Sequence, residues 1–408
     1  MLEEMKRKYA RMLVNVGMNV QKGQPVLIEA AIEIWQFANL VAEEAYRAGA
    51  SRVQINYLDL HRLKIEALNR PTEEVEKHDS WEAGSIEAFM DERACTIRLE
   101  SEYPSLMRDL PDEKAHAVFA HIDSLRNIMR FKMRDNKTQW CIAAVPNQEW
   151  AEAIMPDEDK ATVLEKYWKI LFGLCYLTEE NDPVAVWEIK RARHLELGDK
   201  LDRLDLASLH FTSGNGTDLT IGLGALSHFG MPEALRKERG DRVPFSPNIP
   251  TEEHCTTPLK YQTNGIVYST KPLLMGGKMV RNFSVTFKDG KVTEVHAEEG
   301  EEMLKAVVAT DAGSCYLGEV ALVPYHSPIS ESGLVYYTTL IDENASCHLA
   351  FGRGLGTPKE YEEGGVKDPY NDSRIHIDFM FGAPDTDIVG TTRGGEKVQI
   401  FKNGDYAI

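Results

Sequence analysis

Several features that define whole classes of proteins are missing from this sequence of 408 residues. Its six cysteines show neither CxxC nor zinc-finger spacing, so neither a disulfide framework nor a finger-type zinc site is indicated. No stretch supplies the roughly eighteen consecutive apolar residues that a membrane-spanning helix needs. Residues 1–17 lack the apolar core and cleavage site of a secretory signal. We therefore expect a cytoplasmic protein with reduced thiols and no membrane partner.

Positive charge is also scarce. The chain has 46 Lys and Arg residues against 64 Asp and Glu residues, which gives a formal net charge of -18. This charge disfavours binding to nucleic acid, because the phosphate backbone would be repelled. With 43% hydrophobic and 27% charged residues the composition is typical of a globular protein, and the length favours two domains over one.

The first half of the chain alternates short apolar runs with helical spacing. Residues 25–58 contain an apolar run, a helix-like stretch and an alternating run, which together predict a β-α-β unit and hence a parallel sheet. Further strands are predicted at 95–99 and 139–145, and helices at 113–134 and 159–174. These patterns favour an open α/β arrangement.

After about residue 206 the sequence changes to short β-rich runs separated by Gly, Asn and Asp. The pair Asp289-Gly290 lies between two such runs and predicts a two-residue hairpin, because both turn positions require a positive φ. Antiparallel sheet is therefore expected, and the helical stretch 182–205 connects the two halves. The predicted fold is an α/β N-terminal domain with a parallel sheet (1–195) and an α+β C-terminal domain rich in antiparallel sheet (196–408).

No local signature of a common hydrolase is present, since the chain contains no HExxH, GxSxG or Walker motif. The most informative segment is 373–380, whose alternation of polar and apolar residues predicts a strand. A two-residue period places His376 and Asp378 on one face, where imidazole and carboxylate suit an ion such as zinc, cobalt or manganese. A hydrogen-bonded pair in the core is the alternative interpretation.

Three further segments place ionisable residues beside apolar runs. His348 opens an apolar strand after an acidic loop, and a solvent-facing strand end is the alternative. Glu319 leads into an apolar run, where a buried carboxylate is costly unless a cation or a donor compensates. The proline-bounded loop 250–258 carries Glu252, Glu253 and a histidine, although an ordinary turn in which Glu252 caps backbone amides would look the same.

Taken together, these segments resemble the M29 family of metallo-aminopeptidases, the group of aminopeptidase T and aminopeptidase S. The resemblance covers nearly the whole chain, including its length and its α/β first half. The matching segments, in chain order, are 138–147, 249–253, 318–321, 342–348 and 376–380.

The resemblance implies two divalent metal ions in the C-terminal domain, which would be zinc, cobalt, manganese or magnesium. The ligands that it implies are Glu253, Glu319, His348, His376 and Asp378, with Glu319 bridging the ions. Glu343 lies five residues before His348 in the same loop and is a further candidate, either as a ligand or as a group that contacts one. The resemblance also implies a homodimer that encloses the sites and acts on short peptides with a free N-terminus.

Amide hydrolysis also requires a group that takes the proton from the attacking water and passes it to the leaving nitrogen. Glu319 can do this if it binds metal loosely, and Glu252 or Glu343 is the alternative base. The sequence therefore predicts a metal-dependent aminopeptidase, with Glu319 and Glu343 as its candidate catalytic carboxylates.

One position departs from the family pattern. Family members carry a tyrosine seven residues after the first metal-binding histidine, whereas this chain has Leu355 there. Either Tyr336, Tyr337 or Tyr361 substitutes for that tyrosine, or its role is dispensable or absent.

Two other functions compete with the aminopeptidase. The same ligands would serve a dinuclear esterase or amidase, because fold and ligand set do not select a substrate. A non-catalytic protein would instead bind a small ligand at the β-α-β unit, and its C-terminal carboxylates and histidines would be structural.

Overall fold

The computed structural model describes residues 1–133, 138–225, 227–230, 233–236, 241–275, 278–355 and 370–408. The chain forms two compact units. Unit 1 contains residues 1–191 and 231–250, and unit 2 contains residues 192–230 and 251–408. The functional domains expected from the sequence, 1–195 and 196–408, stay a prediction.

The helices and strands of the described residues are numbered in chain order. The helices are α1 (Leu2–Met12), α2 (Trp35–Arg47), α3 (Leu60–Asn69), α4 (Thr72–Val75), α5 (Ser80–Asp91), α6 (Asp112–Met133), α7 (Gln148–Ile154), α8 (Val163–Leu174), α9 (Pro183–Arg203), α10 (Glu301–Val308), α11 (Pro328–Glu331) and α12 (Thr339–Asp342). The strands are β1 (Val26–Ala31), β2 (Val53–Leu58), β3 (Cys95–Glu100), β4 (Trp140–Ala144), β5 (Leu206–Thr212), β6 (Asp218–Leu223), β7 (Glu233–Arg236), β8 (Asp241–Pro244), β9 (Asn248–Ile249), β10 (His254–Thr256), β11 (Pro258–Tyr268), β12 (Leu273–Met275), β13 (Lys278–Lys288), β14 (Lys291–Glu299), β15 (Leu317–Leu322), β16 (His348–Gly352), β17 (His376–Met380), β18 (Asp387–Thr392), β19 (Lys397–Lys402) and β20 (Asp405–Tyr406). Within the described segments the shorter helical turns are a π-helical turn (Leu13–Gly17) and two 3-10 turns (Ile32–Ile34 and Glu343–Ala345).

Unit 1 is built on a five-stranded parallel sheet with the strand order β2-β1-β3-β4-β9. β1 is almost entirely buried, as expected for a parallel strand whose two faces are both covered. α2 connects β1 to β2 and buries Phe37, Ala38 and Val41. The chain leaves this helix through Gly49, whose φ of 100° suits glycine. The predicted parallel α/β half is confirmed.

Unit 2 contains a nine-stranded antiparallel sheet with the order β12-β13-β11-β6-β5-β18-β19-β20, in which β14 also pairs with β13. β13 and β14 form the predicted hairpin. Its turn residues Asp289 and Gly290 have φ values of 49° and 79°, both in the left-handed region. A Cβ atom on Gly290 would lie 1.8 Å from the carbonyl oxygen of Lys260, so the turn requires glycine. The predicted antiparallel sheet is confirmed.

A second antiparallel sheet of unit 2 has four strands in the order β10-β15-β16-β17. Two short strands border the loop expected from the sequence: β9 belongs to the parallel sheet and β10 to this one. They have two and three residues, which is too short for an alternating pattern to be recognised. Within the described ranges, no helix has both the length and the apolar character needed to cross a membrane.

Candidate metal centre

The centre of the four-stranded sheet carries two carboxylates on one face. Glu319 in β15 lies opposite Ala350 in β16, and Ala350 lies opposite Asp378 in β17. Residues that face each other across antiparallel strands project from the same side of the sheet. Glu319, Ala350 and Asp378 therefore form one row, with the small alanine between the two acids.

Two histidines lie on the same face. His348 opens β16 and stands two residues before Ala350, whereas His376 opens β17 and stands two residues before Asp378. Because side chains alternate along a strand, His348 lies on the same face as Ala350, and His376 lies on the same face as Asp378. The side of the sheet that carries these residues is called the metal face below.

The opposite face of the sheet is apolar. On β15, β16 and β17 its residues alternate with those of the metal face, and five of them are buried in the core of unit 2: Val320, Leu322, Leu349, Phe351 and Phe379. The rings of Phe351 and Phe379 stack with their centroids 4.7 Å apart. Because this packing fixes β16 and β17, the polar side chains on the metal face start from a rigid support.

Two more carboxylates reach the metal face from loops. Glu253 immediately precedes β10, and Glu343 begins the 3-10 turn before β16. The two loops are joined by a hydrogen bond of 2.7 Å that the backbone N–H of Glu252 donates to the Oδ1 atom of Asn344. Glu343 is buried, and the side chain of Glu253 is 11% exposed.

The side chains converge on one another. His348 Nε2 lies 3.2 Å from Glu253 Oε2 and 3.6 Å from Glu319 Oε1. His376 Nε2 lies 3.1 Å from Glu319 Oε2 and 3.5 Å from Asp378 Oδ1. The two oxygens of Glu319 therefore face different histidines.

Among the residues that the structure describes, three groups of ligand atoms are compact enough to hold a cation. Within each group the atoms lie within 4.8 Å of one another, and the groups are Glu253 with Glu319 and His348, Glu319 with His376 and Asp378, and Glu343 with His348 and Asp378. Each of the residues Glu319, His348 and Asp378 belongs to two groups. The structure thus brings together the five ligands that the resemblance implies and Glu343, whereas none of these groups of described residues includes the alternative base Glu252.

Backbone carbonyls orient the two imidazole rings. His376 Nδ1 donates a hydrogen bond of 2.7 Å to the carbonyl oxygen of Arg353, and His348 Nδ1 lies 3.4 Å from that of Ser346. A carbonyl can only accept, so the His376 proton is assigned to Nδ1. Once Nε2 gives up its proton, its lone pair points into the cluster, as it does in a metal-binding histidine.

Two buried atoms of the cluster indicate that a cation fits there. His348 Nε2 and Asp378 Oδ1 make no hydrogen bond to any residue that the structure describes. A buried polar atom without a partner costs about 1–3 kcal/mol. Imidazole nitrogen and carboxylate oxygen are ligands that divalent transition metals accept, so a bound ion would satisfy both atoms.

The pKa shifts of the buried carboxylates agree with the binding of a cation. Burial acts to raise the pKa of Glu319, but the adjacent imidazoles of His348 and His376 outweigh it and hold that pKa well below the usual value. Burial, followed by the charge of Glu253, raises the pKa of Glu343 well above its usual value. Carboxylates outnumber imidazoles in the cluster, and their mutual repulsion is relieved when a cation binds.

The structure describes two of the three tyrosines that could substitute for the family tyrosine at the position of Leu355. Leu355 is 52% exposed. Tyr336 is fully buried, and its hydroxyl donates to Ser332 Oγ at 2.8 Å, while burial raises its pKa to about 12. Tyr337 has a φ of 58°. Tyr361 lies outside the described residues, so the substitution of the family tyrosine stays a prediction.

Two residues near the cluster were overlooked in the sequence. Asn344 links the two loops, and Cys255 projects from β10 toward the metal face. Burial, followed by the charges of Glu319 and Glu253, raises the pKa of Cys255 well above its ordinary value. The available signal was the alternation that places Cys255 two residues after Glu253.

Comparison with known proteins identifies the family of the chain. A family model described as thermophilic metalloprotease M29 matches residues 2–406. The chain is 37% identical to aminopeptidase AmpS from Bacillus subtilis over 405 residues, which cover 98% of this chain and 97% of that protein. It is 34% identical to aminopeptidase 2 from Geobacillus stearothermophilus over 412 residues, with coverage of 98% and 97%.

A solved structure shows the same fold. Wild-type AmpT from Thermus thermophilus matches with a TM-score of 0.91 and 31% sequence identity, covering 100% of both chains. Fold and ligand cluster together define a metal-dependent peptide hydrolase. The chain belongs to the M29 family of thermophilic metalloproteases.

Proposed function

We propose that this chain is an aminopeptidase that removes N-terminal residues from short peptides at a centre of two divalent metal ions. The observation that carries the proposal is the overlap of the three ligand groups, in which Glu319 presents one oxygen to each histidine. A carboxylate shared in this way suits a pair of neighbouring ions better than a single one. The relatives AmpS and aminopeptidase 2, both named aminopeptidases, support the choice of reaction.

The proposed ligands are the five residues that converge on the metal face: Glu253, Glu319, His348, His376 and Asp378. Glu319 would bridge the two ions. This mixture of imidazole and carboxylate suits zinc, cobalt or manganese better than magnesium, which prefers oxygen ligands and bound water. When bound, two such ions acidify a water molecule and polarise the scissile carbonyl.

Glu343 is our choice for the group that moves the proton. Both oxygens of Glu319 lie within 3.6 Å of an imidazole, so in this proposal both oxygens serve as metal ligands and neither is left to accept a proton. Glu343 instead stands on the 3-10 turn beside His348 and Asp378. When cations offset the charges of the neighbouring carboxylates, which act to raise its pKa, the ionised Glu343 can accept the proton of the attacking water and deliver it to the leaving nitrogen.

The preference for a free N-terminus follows from metal chemistry. A free α-amine in its neutral form can bind a divalent ion of the centre, whereas the amide nitrogen of a blocked terminus is a poor ligand. The homodimeric assembly and the cytoplasmic location expected from the sequence belong to the same proposal.

The test compares wild type with Glu319→Gln on aminoacyl anilides and on free-amine and N-acetylated dipeptides. Metal content is measured in the same samples. We expect wild type to bind two ions and to cleave only the free-amine substrates, and Glu319→Gln to lose metal and activity together. Glu294→Gln, at an exposed position of β14, is the matched control and should behave as wild type.

Other outcomes would contradict the proposal. Equal hydrolysis of blocked and free dipeptides would exclude an aminopeptidase. Cleavage of esters or simple amides without cleavage of peptides would favour the alternative metallohydrolase. A wild-type protein that bound no zinc, cobalt or manganese would favour a non-catalytic function.

A further inference from the structure

The side chain of Asn371 ties the segment before β17 to the end of β16. Asn371 is 4% exposed and stands five residues before His376. Its Nδ2 atom donates hydrogen bonds of 2.6 Å to the carbonyl oxygen of Gly352, the last residue of β16, and of 2.7 Å to that of Gly313. Both hydrogens of the amide group are thereby used inside the protein.

The backbone of Asn371 holds the next peptide group along the chain. The backbone N–H of Gly354 donates to the carbonyl oxygen of Asn371 at 3.0 Å. This N–H belongs to the same peptide group as the carbonyl of Arg353, and a peptide group is planar, so the direction of one fixes the direction of the other. Asn371 therefore contacts both peptide groups that flank the Cα atom of Arg353, one through its side chain and one through its backbone.

The carbonyl that is fixed in this way is the one that orients His376. Nδ1 of His376 donates to the carbonyl oxygen of Arg353 at 2.7 Å. Nε2 of the same ring lies 3.1 Å from Glu319 Oε2 and 3.5 Å from Asp378 Oδ1. A rotation of the Arg353 peptide group would turn the imidazole ring and move Nε2 away from these carboxylates.

We infer that Asn371 is a positioning residue for the metal centre, which holds the Arg353 carbonyl where that carbonyl orients His376. The inference rests on the proposed metal-binding function. Metal-binding histidines generally donate from their second ring nitrogen to such a group, and loss of the orienting contact typically weakens metal binding by about 10- to 100-fold. Because Asn371 acts one step further out, the lower end of this range is expected.

The experiment compares wild type with Asn371→Ala, Asn371→Asp and the control Asn147→Ala. Asn147 is also buried, and its Nδ2 atom donates at 2.9 Å to Ser101 Oγ and to the carbonyl oxygen of Glu102, but it lies in unit 1. Dissociation constants of both ions are measured for Zn²⁺ and Mn²⁺ by competition with a fluorescent chelator. The unfolding free energy is measured on the metal-free proteins.

We expect Asn371→Ala to weaken the binding of one ion about 10-fold and that of the other by less, because His376 belongs to one of the three ligand groups of the described residues. Asn371→Asp keeps the volume of the side chain but replaces the donating Nδ2 by an oxygen that faces two carbonyls, so its loss should be at least as large. Asn147→Ala should lose stability and keep both dissociation constants.

A second measurement needs no metal. In metal-free protein labelled with ¹⁵N-histidine, the Nδ1–H signal of His376 is assigned by its absence in His376→Gln. We expect this proton to exchange with solvent faster in Asn371→Ala than in wild type, because the carbonyl that accepts it is no longer held. Asn147→Ala should leave the exchange rate unchanged.

Four results would overturn the inference. They are wild-type metal affinity in Asn371→Ala, wild-type affinity in Asn371→Asp, an equal loss at both ions, and unchanged exchange of the His376 proton. A loss of affinity in Asn147→Ala as large as that in Asn371→Ala would likewise show an effect of stability alone. If wild type binds neither ion, the proposed function fails, and the exchange measurement still decides whether Asn371 orients His376.

Discussion

Ala350 lies at the centre of the metal face, and enlarging it tests whether that face holds the ions. It stands between Glu319 and Asp378 in the strand register. Directly opposed Cβ atoms of antiparallel strands lie about 4.5–5.5 Å apart. The substitution Ala350→Val therefore adds two methyl carbons to the space between the two carboxylates.

The size of the effect follows from this crowding. Valine favours strands, so the backbone pairing of β16 should persist. Overpacking a buried site typically costs about 1–3 kcal/mol. If this cost falls on the metal-bound state, the dissociation constant for metal rises about 5- to 150-fold.

The assay is a metal titration against a fluorescent chelator, with the number of bound ions counted by elemental analysis and the metal-free protein unfolded in urea. Leu349→Ile is the matched control, because Leu349 lies in the core on the opposite face. It should lose less than about 1.5 kcal/mol of stability and keep its metal affinity. If Ala350→Val binds two ions as tightly as wild type, the residue does not border the ions and our choice of face is wrong.

Two further predictions concern protonation. Burial lowers the pKa of His348 and His376, but adjoining carboxylates outweigh it and raise both well above the ordinary value. Ligation needs neutral imidazole, so metal binding should release protons and tighten as the pH rises from about 6 to about 8. Calorimetry of metal binding in buffers of different ionisation enthalpy should therefore show unequal heats. Equal heats would contradict this protonation state of the two histidines. Burial also raises the pKa of Asp342 to about 6. A carboxyl whose pKa folding raises stabilises the folded chain below its unfolded pKa, and this contribution is lost as the pH rises through about 6. Asp342→Asn should therefore stabilise the metal-free protein by as much as about 3 kcal/mol at pH 8 and by about half of that at pH 5. Urea unfolding at both pH values measures the difference, and equal gains would show that Asp342 does not titrate in this range.

Local patterns predicted the parts of the fold that depend on neighbouring residues. The β-α-β unit of β1, α2 and β2 follows from apolar spacing within 34 residues of chain, from 25 to 58. The hairpin at Asp289 and Gly290 follows from turn chemistry alone. β10 was missed because its three residues pair with β15, more than sixty positions away along the chain.

In the candidate site, the strand residues could be predicted from local spacing and the loop residues could not. The neighbours His376 and Asp378 follow from the two-residue period of β17. Glu253 depended on resemblance, because a loop residue shows no period and approaches His348 only through distant pairing. The hydrogen bond that joins the loops through Asn344 depends on side-chain geometry, which no spacing in the sequence reports.

The alternation of polar and apolar residues in β16 and β17 has a consequence for folding. A slip of one position in β17 would turn His376 and Asp378 toward the core and Phe379 onto the metal face, among the buried carboxylates. Ions that bind only the correctly paired strands stabilise that register by a free energy that grows with the logarithm of ion concentration once it exceeds the dissociation constant. The proposed ions would therefore also favour the correct strand register during folding. A chain with the wrong register would lose both the packing of its hydrophobic core and the binding of its metal ions.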